Sequence, residues 1–125
     1  MSLKTGSRYT GRLGEEFAGR VLEESGYTIV ARNKHTIHGE VDIIAQGEGC
    51  ICFVEVRTRQ KGSVVSPLES ITRAKKRKIV LTAFTYLRDH PTELQPRFDL
   101  FCVLTKGGKV DSYEHIKGGF DADEH

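Results

Sequence analysis

Gly39-Glu40-Val41-Asp42 and, beyond a short turn, Glu55-Val56-Arg57 put two carboxylates and a cation on neighbouring strands. Successive side chains of a strand point to opposite faces, so Cys50 to Arg59 separates into Ile51, Phe53, Glu55, Arg57, Arg59 on one side and Cys50, Cys52, Val54, Val56, Thr58 on the other. The preceding strand, about Glu40 to Gln46, separates into Glu40, Asp42, Ile44 against Val41, Ile43, Ala45. Gly47-Glu48-Gly49 carries a hairpin signal, because glycine supplies the positive φ of tight turns. If Gln46 pairs with Ile51, Ile44 faces Phe53 and Asp42 faces Glu55. Cβ atoms of opposed residues lie roughly 4.5–5.5 Å apart, within reach of one cation. A slip of one residue would send Asp42 to the other face, so everything here depends on register.

Two like charges at that distance destabilise a sheet unless something compensates them. A hard dication such as Mg²⁺ or Mn²⁺ does so with oxygen ligands, taking one or two protein carboxylates and leaving room for water and phosphate oxygens. Arg57, on the same face, would then orient the phosphate. The spacing is equally compatible with a solvated sheet face on which Arg57 and Arg59 pair with Glu55 and Asp42.

The elements that must hold these residues fit in one domain of 125 residues with a modest core. The ordered part is expected over about residues 8–117, before a polar C-terminal tail. A hydrophobic share of 38% without a membrane-length apolar run or an apolar leader points to a cytoplasmic protein that does not engage a membrane. Three cysteines make no disulfide framework, and Cys50, Cys52 and Cys102 read as core residues. His35 and His38 lack a second ligand pair and read as loop residues. Charge is uneven. Residues 57–78 hold Arg57, Arg59, Lys61, Arg73, Lys75, Lys76, Arg77 and Lys78 against Glu69 alone, a local +7 that leaves −5 for the rest of a chain of net charge +2. Such a concentration favours a polyanionic partner, although charge runs are commonly solvated helix faces.

A helix is expected from about Arg8 to Ser25, ended by Gly26, with Gly11, Glu15, Ala18 and Leu22 on its inner stripe. Glu15 is therefore an inward acid, whereas Glu16 lies between Arg12 and Arg20 as an exposed ion-pair residue. A strand over Tyr27 to Ala31, a polar loop through Arg32-Asn33-Lys34-His35 and the hairpin follow. Ser66-Pro67-Leu68-Glu69 reads as a capping box, opening a helix that reaches about Asp89, with a restart near Thr72. Ile79, Ala83, Tyr86 and Leu87 mark its buried stripe. Strands over Phe98 to Leu104 and Val110 to about His115 complete the order α-β-β-β-α-β-β: an α/β fold, a mixed sheet of four to five strands with a helix on each side.

That order, with a helix glutamate, then an aspartate, then Glu-x-(Lys/Arg), resembles the PD-(D/E)XK nuclease superfamily, the fold of restriction endonucleases and Holliday-junction resolvases. Within it the chain is most similar to the YraN-like family of small, largely uncharacterised bacterial proteins. The resembling residues are Gly14-Glu15-x-x-Ala18, Gly26-Tyr27, Arg32-Asn33, Gly39-Glu40-Val41-Asp42, Phe53-Val54-Glu55-Val56-Arg57-x-Arg59, Lys75-x-x-Lys78-Ile79, Tyr86-Leu87 and Arg97-Phe98-Asp99, spanning about residues 11–103. The resemblance implies a restriction-endonuclease-like core, Asp42 and Glu55 as metal-binding acids, Glu15 as the first-helix acid and Lys75 as a further polar site residue. Arg57 stands where the superfamily carries a lysine that orients or activates water. Arginine stays charged and clamps phosphate bidentately, so its expected role moves from base to clamp.

Three readings follow. The first is a Mg²⁺- or Mn²⁺-dependent endonuclease acting on DNA before RNA, with branched DNA as substrate and a homodimer as assembly; Arg59, Lys61, Arg73, Lys75, Lys76 and Lys78 would hold the backbone. The second is a catalytically inactive nucleic-acid-binding module of the same fold. The third is an assembly partner whose acids and arginines only pair with one another.

Overall fold

The computed structural model of the chain describes residues 2–62 and 71–122, with side chains from Tyr9 onward. Its elements are α1 (Ser2–Glu24), β1 (Thr28–Thr36), β2 (Gly39–Gly47), β3 (Cys50–Gln60), α2 (Arg73–Asp89), β4 (Gln95–Lys106) and β5 (Lys109–Phe120). The strands lie in chain order across one five-stranded sheet, antiparallel except for the parallel pair β3–β4. A parallel pair needs a crossover, and α2 supplies it. One face packs α1 through Ala18 and Leu22 against Ile43, Ala45, Cys52, Val54, Phe101 and Val103. The other packs α2 through Ile79, Val80, Ala83 and Tyr86 against Ile44, Ile51, Phe53, Phe98 and Leu100. This is the expected α/β order and layering.

Three element boundaries differ from expectation by more than three residues. α1 starts at Ser2 rather than Arg8, because the apolar stripe begins only at Gly11 and is silent about earlier turns. β1 continues through Arg32-Asn33-Lys34-His35, expected as a loop. Those side chains suit an edge strand: Arg32 lies against Gly19 of α1, and Lys34 sits 6.0 Å over the Tyr86 ring of α2. β5 extends past His115 to Phe120, so the ordered chain runs beyond residue 117. Phe120 is buried and stacks on Phe98, its partner in the ladder, which gives the strand an apolar reason to continue. The proposed cap at Ser66-Pro67-Leu68-Glu69 lies outside the described residues. The restart is found where Thr72 caps α2, its hydroxyl accepting the Lys75 N–H at 3.1 Å.

α1 ends in a two-bond C-cap. Gly26, at φ 97°, directs its N–H to Glu23, and the Tyr27 N–H bonds Leu22 at 2.9 Å. Tyr27 then enters a polar network under the sheet. Its hydroxyl donates to Glu48 at 2.7 Å and accepts from Arg97 at 2.7 Å. Arg97 forks onto Asp99 with two bonds of 2.9 Å, and His115 and the Gly118 N–H complete the shell of that carboxylate at 2.8 and 3.0 Å. Asp99 is wholly buried. Burial alone would raise its pKa, but the donors from His115, Arg97 and Gly118 outweigh it and hold the carboxyl below its ordinary value. Its contribution to stability is present above the unfolded-state pKa and lost as pH falls through the folded one. Asp99→Ala leaves Arg97 and His115 without their buried anion. It is expected to cost about 3 kcal/mol or more, read as a lower urea midpoint at pH 7.

Candidate active site

The hairpin has the register inferred from its turn, with Gln46 opposite Ile51 and Ile44 opposite Phe53. The ladder stops at Ile43 and Val54. Asp42 and Glu55 come next in that register, and there the strands part. The Val56 N–H donates to the Asp42 carboxylate at 2.8 Å, so a side chain takes over a ladder bond. The strict alternation expected for β2 fails at the same place. Val41 joins Ile44 on the α2 side, while Ile43 packs on the α1 side. On β1, Asn33 takes a left-handed φ of 50°, a conformation asparagine tolerates better than most residues. The twist turns Asp42 into the gap between β2 and β3 instead of leaving it flat on one face.

Glu55 is only 4% exposed. Burial, then the Asp42 charge, pushes its carboxyl up to about 7, against the pull of Lys75 and Arg57. The Lys75 ammonium stands 3.7 Å and the Arg57 guanidinium 3.6 Å from it. Asp42 is also raised, chiefly by burial, while the Val56 N–H and a hydrogen bond with Glu55 pull the other way. The hydrogen bond between the two acids raises the pKa of Glu55 and lowers that of Asp42, so of the two Glu55 is the one that favours its proton.

Glu15 approaches from α1. Burial raises its pKa first, then the charges of Asp42 and Glu40, while the Asn33 side chain donates to its carboxylate and Arg32 attracts it. It borders a cleft with Arg12, Glu16, Arg20, Arg32 and Asn33, within electrostatic range of Asp42. Among the described residues, no three His, Cys, Asp or Glu side chains converge closely enough to hold a metal by themselves. Asp42 and Glu55 are carboxylates that could offer oxygen ligands to a divalent cation.

The close approach of α1 depends on Gly14, where a β-carbon would collide with the Thr58 hydroxyl of β3. Asn33 escaped the sequence reading, which placed it in a loop; its tolerance of left-handed backbone was the available signal. His35 was likewise assigned to a loop, but it lies on β1 and pairs with Glu40 at 3.4 Å. Cys52 and Cys102 are buried, with burial pushing both thiols up to about 12, and Cys50 is half-buried.

Among the basic residues, the fold gathers Arg57 and Lys75 at Glu55 and disperses the others. Arg59 turns back onto the Thr58 carbonyl at 2.8 Å. Lys61 pairs with Asp111 at 3.3 Å, and Lys76 lies 5.9 Å over the Phe120 ring. Arg73, Arg77 and Lys78 share a separate cleft with the β1–β2 turn.

The raised pair fixes a pH dependence. Between about pH 4.5 and 7 the unfolded chain releases a proton that the folded chain retains, so stability falls as pH rises through that window. Glu55→Gln removes this loss. It is expected to match wild type near pH 4.5 and to exceed it by on the order of 2 kcal/mol at pH 8 in urea unfolding.

The family described as "Uncharacterised protein family UPF0102" matches residues 14–103, which include all four gathered residues. A UPF0102 protein of Desulfosudis oleivorans is 45% identical over 113 residues, covering 90% of this chain and 89% of its own. One of Chloroflexus aurantiacus is 39% identical over 116 residues, covering 91% and 94%, and one of Myxococcus xanthus is 38% identical over 116 residues, covering 92% and 91%. No helix among the described residues is long and apolar enough to cross a membrane. With the match spanning most of the chain and relatives aligned nearly end to end, the protein belongs to the UPF0102 family, the YraN-like group.

Proposed function

We propose that the protein is a divalent-metal-dependent endonuclease of PD-(D/E)XK type, hydrolysing phosphodiester bonds in DNA before RNA. One observation carries this reading. Glu55 is buried beside half-buried Asp42, both carboxyls are raised above their ordinary pKa, and the Arg57 and Lys75 side chains both approach Glu55. A purely structural ion pair would match its charges and lower the acids' pKa. Here burial and mutual repulsion win, which leaves a site that a dication would satisfy better than a proton does. Two carboxylates are a usual protein share for Mg²⁺ or Mn²⁺ when phosphate oxygens fill further positions.

A cation held there supplies charge neutralisation of the phosphate and activation of water. The chain's own residues do the remainder. Arg57 stays charged, so it clamps a phosphate oxygen and does not take up a proton. Lys75, presented from the first turn of α2, adds a second charge on the same side of Glu55. Glu15, with Asn33 bonded to it, faces the charge of Asp42 from α1, where it would accept a hydrogen bond from the attacking water. The cations Arg59, Lys61, Arg73, Lys76 and Lys78, dispersed around this centre, would meet phosphates further along a bound polyanion.

A second reading, an inactive nucleic-acid-binding module, is favoured by one feature. Glu55 already has two cationic neighbours, and one of them replaces the lysine of the superfamily pattern. Incubation of plasmid, single-stranded and four-way-junction DNA with Mg²⁺ or Mn²⁺ separates the two. Cleavage is expected from wild type and a loss of about 10²-fold or more from Asp42→Asn and from Glu55→Gln. Cleavage that persists in both variants would sink the nuclease assignment. Salt-sensitive binding without cleavage, together with no calorimetric Mn²⁺ binding, would leave the module. A further expectation concerns stability: Mn²⁺ raises the melting temperature of wild type at pH 8 and leaves that of Glu55→Gln within about 1 °C.

A further inference from the structure

The turn between β1 and β2 exposes an isoleucine where hairpins normally carry asparagine, aspartate or glycine. Ile37 is 95% exposed. Single surface apolar residues are ordinary; this one differs in how it is held and in what surrounds it. The Thr36 hydroxyl accepts the His38 N–H at 3.1 Å and donates to the Thr82 hydroxyl of α2 at 3.3 Å. Gly39 lies beside Lys78 and Thr82 of α2, where an added β-carbon would make ordinary contact at 3.4 and 3.5 Å. The turn is thus fixed to α2 from both sides while its apolar tip stays in water. Ile37 and His38 form one wall of an open cleft of about 570 Å³, with Arg73, Arg77, Lys78 and Leu81 opposite. Among the described residues, no acid lines that cleft.

A rigid apolar tip beside three cations suits a ligand that offers phosphates and, next to them, a hydrophobic stack that can be opened. We propose that Ile37 is a wedge that inserts between bases at a branch point or single-strand boundary, with Arg73, Arg77 and Lys78 holding the adjacent phosphates. Apolar side chains inserted between base steps unstack them, and phosphate contacts offset the cost. The spacing agrees with the site, since four strand residues from His38 to Asp42 span about 13 Å, close to four stacked base steps. A strand opened at Ile37 would therefore reach the carboxylates a few nucleotides away. This placement rests on the nucleic-acid reading of the site and specifies its substrate: helical DNA interrupted by a junction or a single-stranded arm.

The test uses the full-length protein in EDTA, so that binding is read without cleavage. Four-way junction, flap and continuous-duplex oligonucleotides carry 2-aminopurine at the branch point or at a matched internal position. Wild type is expected to raise the fluorescence of the branched oligonucleotides and not that of the duplex. Ile37→Ser should lose that rise and bind the junction about fivefold more weakly, with duplex affinity within about twofold of wild type. Ile37→Leu should restore both, and Arg77→Ala should weaken all three substrates alike. Wild-type binding with no fluorescence rise, or with a rise unchanged in Ile37→Ser, overturns the wedge and leaves the nuclease reading intact. Absence of binding to every oligonucleotide at low salt overturns both. Loss of metal-dependent cleavage with the Ile37-dependent rise retained removes only the nuclease.

Discussion

The bond from the Val56 N–H to the Asp42 carboxylate decides the shape of the site. A regular antiparallel pair would carry backbone bonds past Ile43 and Val54 and leave the acids as a flat cross-strand pair. With a carboxylate in place of a carbonyl, β2 bends away, Val41 turns to the α2 core, and Asp42 lies between the two faces of the sheet. From there it meets Glu55 and the cations near α2 and also feels the charge of Glu15 on α1. A group confined to one face could not do both.

The same sheet holds a second buried carboxylate, and the contrast explains why the pKa of the first one is raised. Asp99 is as deeply buried as Glu55, yet its pKa falls where that of Glu55 rises. The difference lies in the donors. Asp99 receives a bidentate arginine, a histidine and a backbone N–H. Glu55 has two cations at 3.6 and 3.7 Å, beyond good hydrogen-bond length, and the charge of a second acid, Asp42, acting against it. One cluster is closed, and the other is short of positive charge where a substrate could approach.

Much of this was legible in the residues. Hairpin register followed from Gly47-Glu48-Gly49, because turn length and alternation fix pairing together. The inward course of Glu15 followed from helical period, and the burial of Cys52 and Cys102 from their apolar neighbours, whereas Cys50 is half-buried. Other features were set by tertiary contacts that local pattern does not encode. Arg32 to His35 look like a loop until α1 and α2 offer surfaces for their long side chains. Gly118 to Phe120 look like a tail until Phe98 offers a ring to stack on. The strand separation at Asp42 was invisible for the same reason, since a period-2 reading assumes the regularity that the carboxylate breaks. The +7 run was legible in part: strand period put Arg57 beside Glu55 and the resemblance pointed to Lys75, but only folding showed that the remaining cations lie away from the acids.

The cap at Gly26 gives α1 a mechanical character. Its C-terminal end is tied through Tyr27 to the Asp99 network, and Glu15 lies nine residues back along a rigid helix, about 14 Å from that anchor. The helix therefore acts as a lever arm pivoted at the closed cluster. A tilt of about 5° at the pivot moves the Glu15 end by roughly 1 Å, comparable to the positional tolerance of a catalytic group. Side chains that never approach the open cluster, such as Arg97 and His115, thereby set the alignment of its third acid.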